Sequence, residues 1–293
     1  MTCDVEILSV GNELLIGKIV NTNAQWLAKE ATSLGTIVKR ITVLPDNIDE
    51  TAEAINETLK RKPQFVLITG GLGPTFDDKT LETIAKALKR RLKVNKEALR
   101  MVEEKYRLYT AKTGNNVELT SPRIKMATFP ENSTPLCNPV GTAPAMRIDI
   151  EGTIIVALPG VPKEMEGIFQ DTIKPLLKQC SHGNVFFEQS IYANDIMESV
   201  LAPLIDETMC EYPEIYIKSH PKGEEKTPHI EIHFSRMAIE QQKETRLKEA
   251  VGHLSRLIEK NNGKILPKQE IIWMLISRFY FHKIHKAVIT GKP

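Results

Sequence analysis

Apolar positions along the first half of the chain come in two alternating rhythms. Short, mostly apolar runs at Val5–Val10, Ile37–Leu44, Phe65–Thr69 and Ile154–Leu158 predict buried strands, each ending at Gly, Pro or Thr. Between them lie stretches with helical spacing. Thr22–Ser33 carries Trp26 and Leu27 and stops at Gly35. Ile48–Lys60 places Ile48, Ala52, Ile55 and Leu59 on one face, and Lys79–Lys89 does so with Leu81, Ile84, Ala85 and Leu88. Lys96–Tyr109 and Lys163–Lys178 predict two more helices, while Ala127–Phe129 and Ala145–Ile148 are short enough to be late strands or a hairpin. Strands alternating with helices predict an α/β fold, a mostly parallel sheet covered on both faces.

The rhythm changes near Cys180–Asn184. Strand-like Val185–Ile191, Glu214–Ser219 and His229–Ser235 are interleaved with helical Met197–Glu207 and Glu240–Lys260, with a loop at His220–Pro228. This predicts a smaller α+β domain. The expected division is 1–179, 180–266, and a tail over 267–293 whose apolar, aromatic stretch Ile271–Phe281 is a candidate contact for a homo-oligomer.

Composition adds mainly exclusions. With 39 basic and 37 acidic residues the net charge is +2, too balanced to predict nucleic-acid binding, and the Lys-Arg clusters at Lys60–Lys62 and Lys89–Lys93 sit at predicted helix ends. The longest apolar stretch, Ile271–Ile276, is far short of a membrane span. Cys3, Cys137, Cys180 and Cys210 form no CxxC pair and no recognisable framework. A reducing cytoplasm is the expected location.

The chemistry concentrates in the loops that follow strands. Thr69-Gly70-Gly71-Leu72-Gly73-Pro74-Thr75-Phe76-Asp77-Asp78 joins a strand to a helix, where open α/β sheets bind ligands. Its glycines let the backbone approach a ligand. It is neither a Walker A loop nor a dinucleotide GxGxxG turn. Asp77 and Asp78 would repel a bound phosphate unless a divalent cation (Mg²⁺, Mn²⁺ or Co²⁺) bridged the two, which makes them candidate metal ligands. A cap and a solvated neighbour are the plainer roles for such a pair. Gly11, Asn12, Glu13 and Asn23 follow the first strand, with Glu13 a candidate general base, and Asp46 follows the second. Asn138, Gly141 and Thr142, and Gly160 in Leu158–Met165, form two further turns of the same style. His229, Glu231 and His233 alternate along one strand face, where solvated polar groups are the commoner arrangement and metal ligation the rarer.

Taken together, the first loop, Thr69–Thr80, Asn138–Pro144 and Leu158–Met165 resemble the amino-terminal domain of the CinA family, within the molybdopterin-binding superfamily of MogA, MoaB and MoeA proteins; the likeness covers about residues 4–178. Ile191–Ser219 resembles the small domain that follows in CinA-like proteins. The resemblance implies a three-layer αβα sandwich. It also implies that Asp46 and Asp78 are the two acidic residues near the ligand, and that a homo-oligomer forms. Position 76 is Phe where many relatives have His, and Ala145 stands where Gly is usual. The nicotinamide mononucleotide deamidase domain of longer CinA proteins is expected to be absent.

Three readings follow as expectations. The first is a metal-dependent pyrophosphatase acting on ADP-ribose or a similar dinucleotide, with Asp78, Asp46 and Glu13 as catalytic groups. Thr69, Gly70, Gly71, Gly73, Pro74, Thr75 and the turns named above would hold the nucleotide or pterin phosphate. The alternative is a molybdopterin-binding protein of cofactor synthesis, or a non-catalytic nucleotide-binding regulator.

Overall fold

The computed structural model describes residues 2–114, 118–222, 229–239 and 245–266. The chain divides into two compact units, Met1–Val185 and Phe186–Pro293.

In the first unit the elements run β1 (Asp4–Val10), α1 (Asn12–Leu15), α2 (Thr22–Ser33), β2 (Ile37–Leu44), α3 (Ile48–Lys60), β3 (Phe65–Thr69), α4 (Thr80–Ala87), β4 (Leu92–Val94), α5 (Lys96–Thr113), α6 (Ser121–Lys125), β5 (Thr128–Pro130), β6 (Thr134–Leu136), β7 (Ala145–Ile150), β8 (Thr153–Leu158), α7 (Pro162–Ile168) and α8 (Lys174–Cys180). A six-stranded sheet has the order β2-β1-β3-β8-β7-β6. β2, β1, β3 and β8 are mutually parallel, and β7 is antiparallel to both neighbours. β3, buried at every position, is the middle of it.

One apolar core lies on each face. Leu8, Val66, Ile68 and Ile155 meet α3, α4 and α5 on one side, while Ile7, Leu67 and Val156 meet α2, α7 and α8 on the other. The αβα sandwich follows from strands apolar on both faces, which need helices on both. Asparagines cap three of these helices. Asn21 Oδ1 accepts from the Ala24 N–H, Asn47 Oδ1 from Asp49 and Glu50, and Asn95 Oδ1 from Glu97 and Ala98.

The predicted single helix over Lys163–Lys178 is divided. One wide turn, Phe169–Ile173, separates α7 from α8, and Pro175 is the second residue of α8. Proline has no N–H for the bond to residue 171, so the helical ladder slips there.

The cysteine expectation is overturned. Cys3 and Cys180 form a disulfide with Cα atoms 5.6 Å apart, across 177 residues of sequence. No local spacing could reveal it. The partners meet only because the residues just before β1 and the end of α8 pack into the same core. Cys137 and Cys210 are free and exposed.

The second unit contains most of β9 (Asn184–Asn194), then α9 (Glu198–Glu211), β10 (Tyr216–Pro221), β11 (His229–Ile239), α10 (Thr245–Lys260) and β12 (Lys264–Ile265). Its sheet has the order β10-β11-β9-β12, and Leu201, Ile217, Ile232, Phe234, Leu254 and Ile258 form its core. The loop predicted at His220–Pro228 lies largely outside the described residues, and the candidate oligomer contact Ile271–Phe281 wholly so. Among the described residues no helix is long and apolar enough to cross a membrane.

Candidate functional site

The strand register builds the site. Val10 pairs with Leu44, Ser9 with Thr69, and Thr69 with Leu158, so β1, β2, β3 and β8 end on one line. Their following loops therefore leave the sheet side by side. Backbone bonds tie them: Gly11 N–H donates to Leu44 O and Gly70 N–H to Leu158 O, each at 3.0 Å. The loops enclose a cleft of about 640 Å³ at the carboxyl edge of the sheet, within the size range of small-molecule sites.

Much of its wall is bare backbone. Gly11, Gly70, Gly71, Gly73, Gly141 and Gly160 all line it. Gly70 has no substitute. Its φ is +108°, and a Cβ there would lie 2.2 Å from Val10 O. Gly71 approaches Thr80 as closely, because the Thr80 hydroxyl donates to Gly70 O at 2.7 Å and the Thr80 N–H to Gly71 O. Asn23 pins the opposite rim. Its Nδ2 donates to Thr69 Oγ1 at 3.1 Å and to Gly160 O at 2.8 Å, linking the start of α2, the end of β3 and the loop after β8 through one side chain.

The cleft is acidic. Glu13, Asp46, Asp77, Asp78 and Glu164 line it, and no Lys, Arg or His does so among the described residues. Asp78 Oδ2 accepts from the Thr75 N–H at 2.8 Å and from the Thr75 hydroxyl at 2.5 Å; Asp77 Oδ1 also approaches that hydroxyl. A hydroxyl has one proton, so it cannot donate to both carboxylates at once. The Thr75 hydroxyl, then the backbone of Asp77 itself, hold the Asp77 carboxyl below the usual carboxylate range against the opposing effect of desolvation, and Lys125 and Lys79 add lesser contributions.

Most sequence-derived candidates are brought together here: Asp78, Asp46, Glu13, Gly11, Asn23, Thr69, Gly70, Gly71, Gly73, Pro74, Gly141, Thr142, Gly160 and Asp77 all line the cleft. Three do not. The Asn12 N–H donates to Asp46 Oδ2 at 2.8 Å and its Oδ1 accepts from the Asp46 N–H at 3.3 Å, so Asn12 positions Asp46 from behind. Thr75 is spent on Asp77 and Asp78. Asn138 is buried, its amide donating to Ala143 O and Glu164 Oε2 while its Oδ1 accepts from the Val140 and Gly141 N–H groups. It shapes the turn rather than lining the cleft.

Glu164 is the acidic residue not singled out from the sequence. Pro162 at the start of α7 was the available signal, since it places Glu164 in the first helical turn, beside the cleft. Phe76 is almost fully exposed and outside the cleft lining.

As for a metal, Asp77 and Asp78 are adjacent, but no group of three or more His, Cys, Asp or Glu side chains is arranged to hold one among the described residues. The described residues therefore supply no complete cage. On β11, the alternation of His229, Glu231 and His233 does produce one face. Each has a neighbour there: His229 faces Asn194 Oδ1 at 2.7 Å, Glu231 accepts from the Tyr192 hydroxyl, and His233 faces Ser190. These are hydrogen-bonding neighbours, and the three side chains form no metal cluster.

Comparison with known proteins covers the unit that carries the cleft and, for the relatives, most of the chain. The family described as "Probable molybdopterin binding domain" matches residues 6–179. Protein PAE0875 of Pyrobaculum aerophilum is 44% identical over 259 residues, 88% of this chain and 95% of its own. A protein of Sulfurisphaera tokodaii is 41% identical over 263 residues, 89% of this chain and 97% of its own. Among solved structures, the protein CinA of unknown function from Thermoplasma acidophilum is 38% identical, with a TM-score of 0.55, over 60% of this chain and 98% of that one.

Proposed function

Because the chain belongs to the probable molybdopterin-binding domain family, and is CinA-like within it, we propose that the acidic cleft binds a pterin carrying a phosphate, of the molybdopterin type. The observation that carries this reading is the pairing of a backbone-lined wall with carboxylates in one cleft of about 640 Å³. A pterin ring presents amino and ring N–H donors along one edge. A carboxylate is acceptor-only and takes two such donors side by side. Asp46 and Asp78 are the carboxylates held for this by Asn12 and Thr75. The Gly70–Gly73 backbone lets a phosphate or the ring face approach without side-chain interference.

Calorimetry with molybdopterin tests the reading. Binding that is tight in the native protein and lost in Asp78→Asn or Asp46→Asn is the expected result. No binding by folded protein would sink it.

A second reading, metal-dependent hydrolysis of a dinucleotide such as ADP-ribose, is favoured by one observation: a single Thr75 hydroxyl faces two carboxylate oxygens. A divalent cation brought with a pyrophosphate would satisfy the second oxygen and, once bound, polarise the phosphoryl group. Turnover of ADP-ribose with Mg²⁺, Mn²⁺ or Co²⁺ decides between the two.

A further inference from the structure

Helix α5 has two sides, and its own unit uses one of them. Ala98 and Val102 are buried, Leu99 and Tyr106 pack against the same core, and the Lys105 ammonium donates to Pro139 O at 3.3 Å. The other side carries Glu97, Met101, Glu104, Leu108 and Lys112, spaced three and four apart and so aligned in one stripe. Lys96 and Glu103 lie off it. Leu108 is 56% exposed in the stripe, and Tyr109 on its flank is 52% exposed. A single exposed leucine needs no explanation. This one shares its stripe with Met101, and the stripe has an order of charge, acidic at its start in Glu97 and basic at its end in Lys112.

We infer that this stripe is the contact between two copies of the chain, their α5 helices packed antiparallel about a two-fold axis between Glu104 and Lys105. The order of charge selects the partner. A two-fold sets each residue before the axis against one after it, and repeats every contact. Glu97 then faces Lys112 of the partner subunit, twice over. Met101 faces Leu108 of the partner subunit, and Arg100 faces Tyr109 of the partner subunit, a guanidinium against a phenol ring. A parallel pair would instead set Glu97 on Glu97 and Lys112 on Lys112. Glu104 is the like-charge meeting at the axis, and Arg107 of the same helix, 3.2 Å away, supplies its countercharge. The contact holds whatever the cleft binds.

Light scattering on the full chain is expected to give the mass of two copies. Leu108→Glu sets a carboxylate against Met101 of the partner subunit and is expected to give the mass of one copy, with unchanged circular dichroism because the position is exposed. Glu97→Lys is expected to weaken association by about tenfold, as two attractive pairs turn repulsive. Adding Lys112→Glu is expected to restore it. Glu104→Cys, with Cys137→Ser and Cys210→Ser to remove the other free thiols, is expected to join two chains under a mild oxidant. A native chain that stays at the mass of one copy overturns the inference. So does a double variant that associates no better than Glu97→Lys alone. So does a dimer that survives Leu108→Glu; ending the chain before Ile271 then shows whether the tail or another surface holds it.

Discussion

Gly70 and Glu6 each meet an exacting demand made on a single residue. Gly70 sits at φ +108° with Val10 O where its Cβ would be. Gly70→Ala adds backbone strain and a clash with the neighbouring strand end, and is expected to cost at least about 2 kcal/mol. Urea denaturation measures this, and a change under about 0.5 kcal/mol would contradict the geometry. Glu6 is 2% exposed on β1, an interior strand of the sheet. Arg61 meets it with two bonds, Nε to Oε1 at 2.8 Å and Nη2 to Oε2 at 2.6 Å, and that bond to Glu6 raises the guanidinium pKa. Arg61→Met strands a buried carboxylate. The expected loss is about 3 kcal/mol, toward the low end for a buried pair because about a third of the Arg61 side chain is exposed. The double variant Glu6→Met with Arg61→Met is expected to recover most of it, which separates a stranded charge from lost packing.

At the scale of elements, legibility in the sequence followed locality. α2, β2, α3 and β3 have the bounds that periodicity predicts, because their caps and stops are written beside them: Asn21, Asn47, Gly35 and Gly70. β4, β6 and α6, of three to five residues, carry too few positions for a period to register. The Cys3–Cys180 disulfide was invisible for the opposite reason, since it depends on a tertiary meeting of the chain's start with α8. Reducing it, or making Cys3→Ser with Cys180→Ser, is expected to lower the stability of the first unit by roughly 2–5 kcal/mol, as a long closed loop implies. Denaturation with and without reductant reads this directly, and no difference would remove the staple's role. In β11, burial would push the Glu231 carboxyl up, but the Lys222 ammonium and the hydroxyls of Ser190 and Tyr192 outweigh it and hold it below the usual range. A carboxyl depressed on folding stabilises fully above its unfolded pKa of about 4.3 and loses that contribution as pH falls through the folded value. Glu231→Gln should therefore destabilise β11 at pH 7 and do so progressively less toward pH 3, measured by amide exchange along that strand.

The whole molecule has charges of both signs in near balance, 39 basic against 37 acidic residues, yet they are not evenly spread. Five carboxylates line one cleft with no cation among them, within the described residues. Summed charge said nothing of this, because the acidic positions lie on separate loops that only the parallel register brings into line. The consequence is testable without knowing the reaction. A cleft built to grip phosphate by basic side chains loses affinity as salt rises. Here an anionic ligand must enter against a negative field, and salt screens that repulsion. The affinity for a pterin phosphate is thus expected to rise, on the order of twofold or more, between low salt and 0.3 M NaCl, a range over which the Debye length falls below the span of the cleft. Asp77→Asn, which keeps Asp46 and Asp78, should weaken that response, since it removes one of the five charges without disturbing the glycine wall. Mg²⁺ should mimic the effect of salt at far lower concentration if the carboxylates and phosphate share it, and should do no more than an equal ionic strength of NaCl if they do not. An affinity that falls with salt would mean that the ligand's charge is met by a basic side chain outside the cleft lining, and not by the acidic cleft.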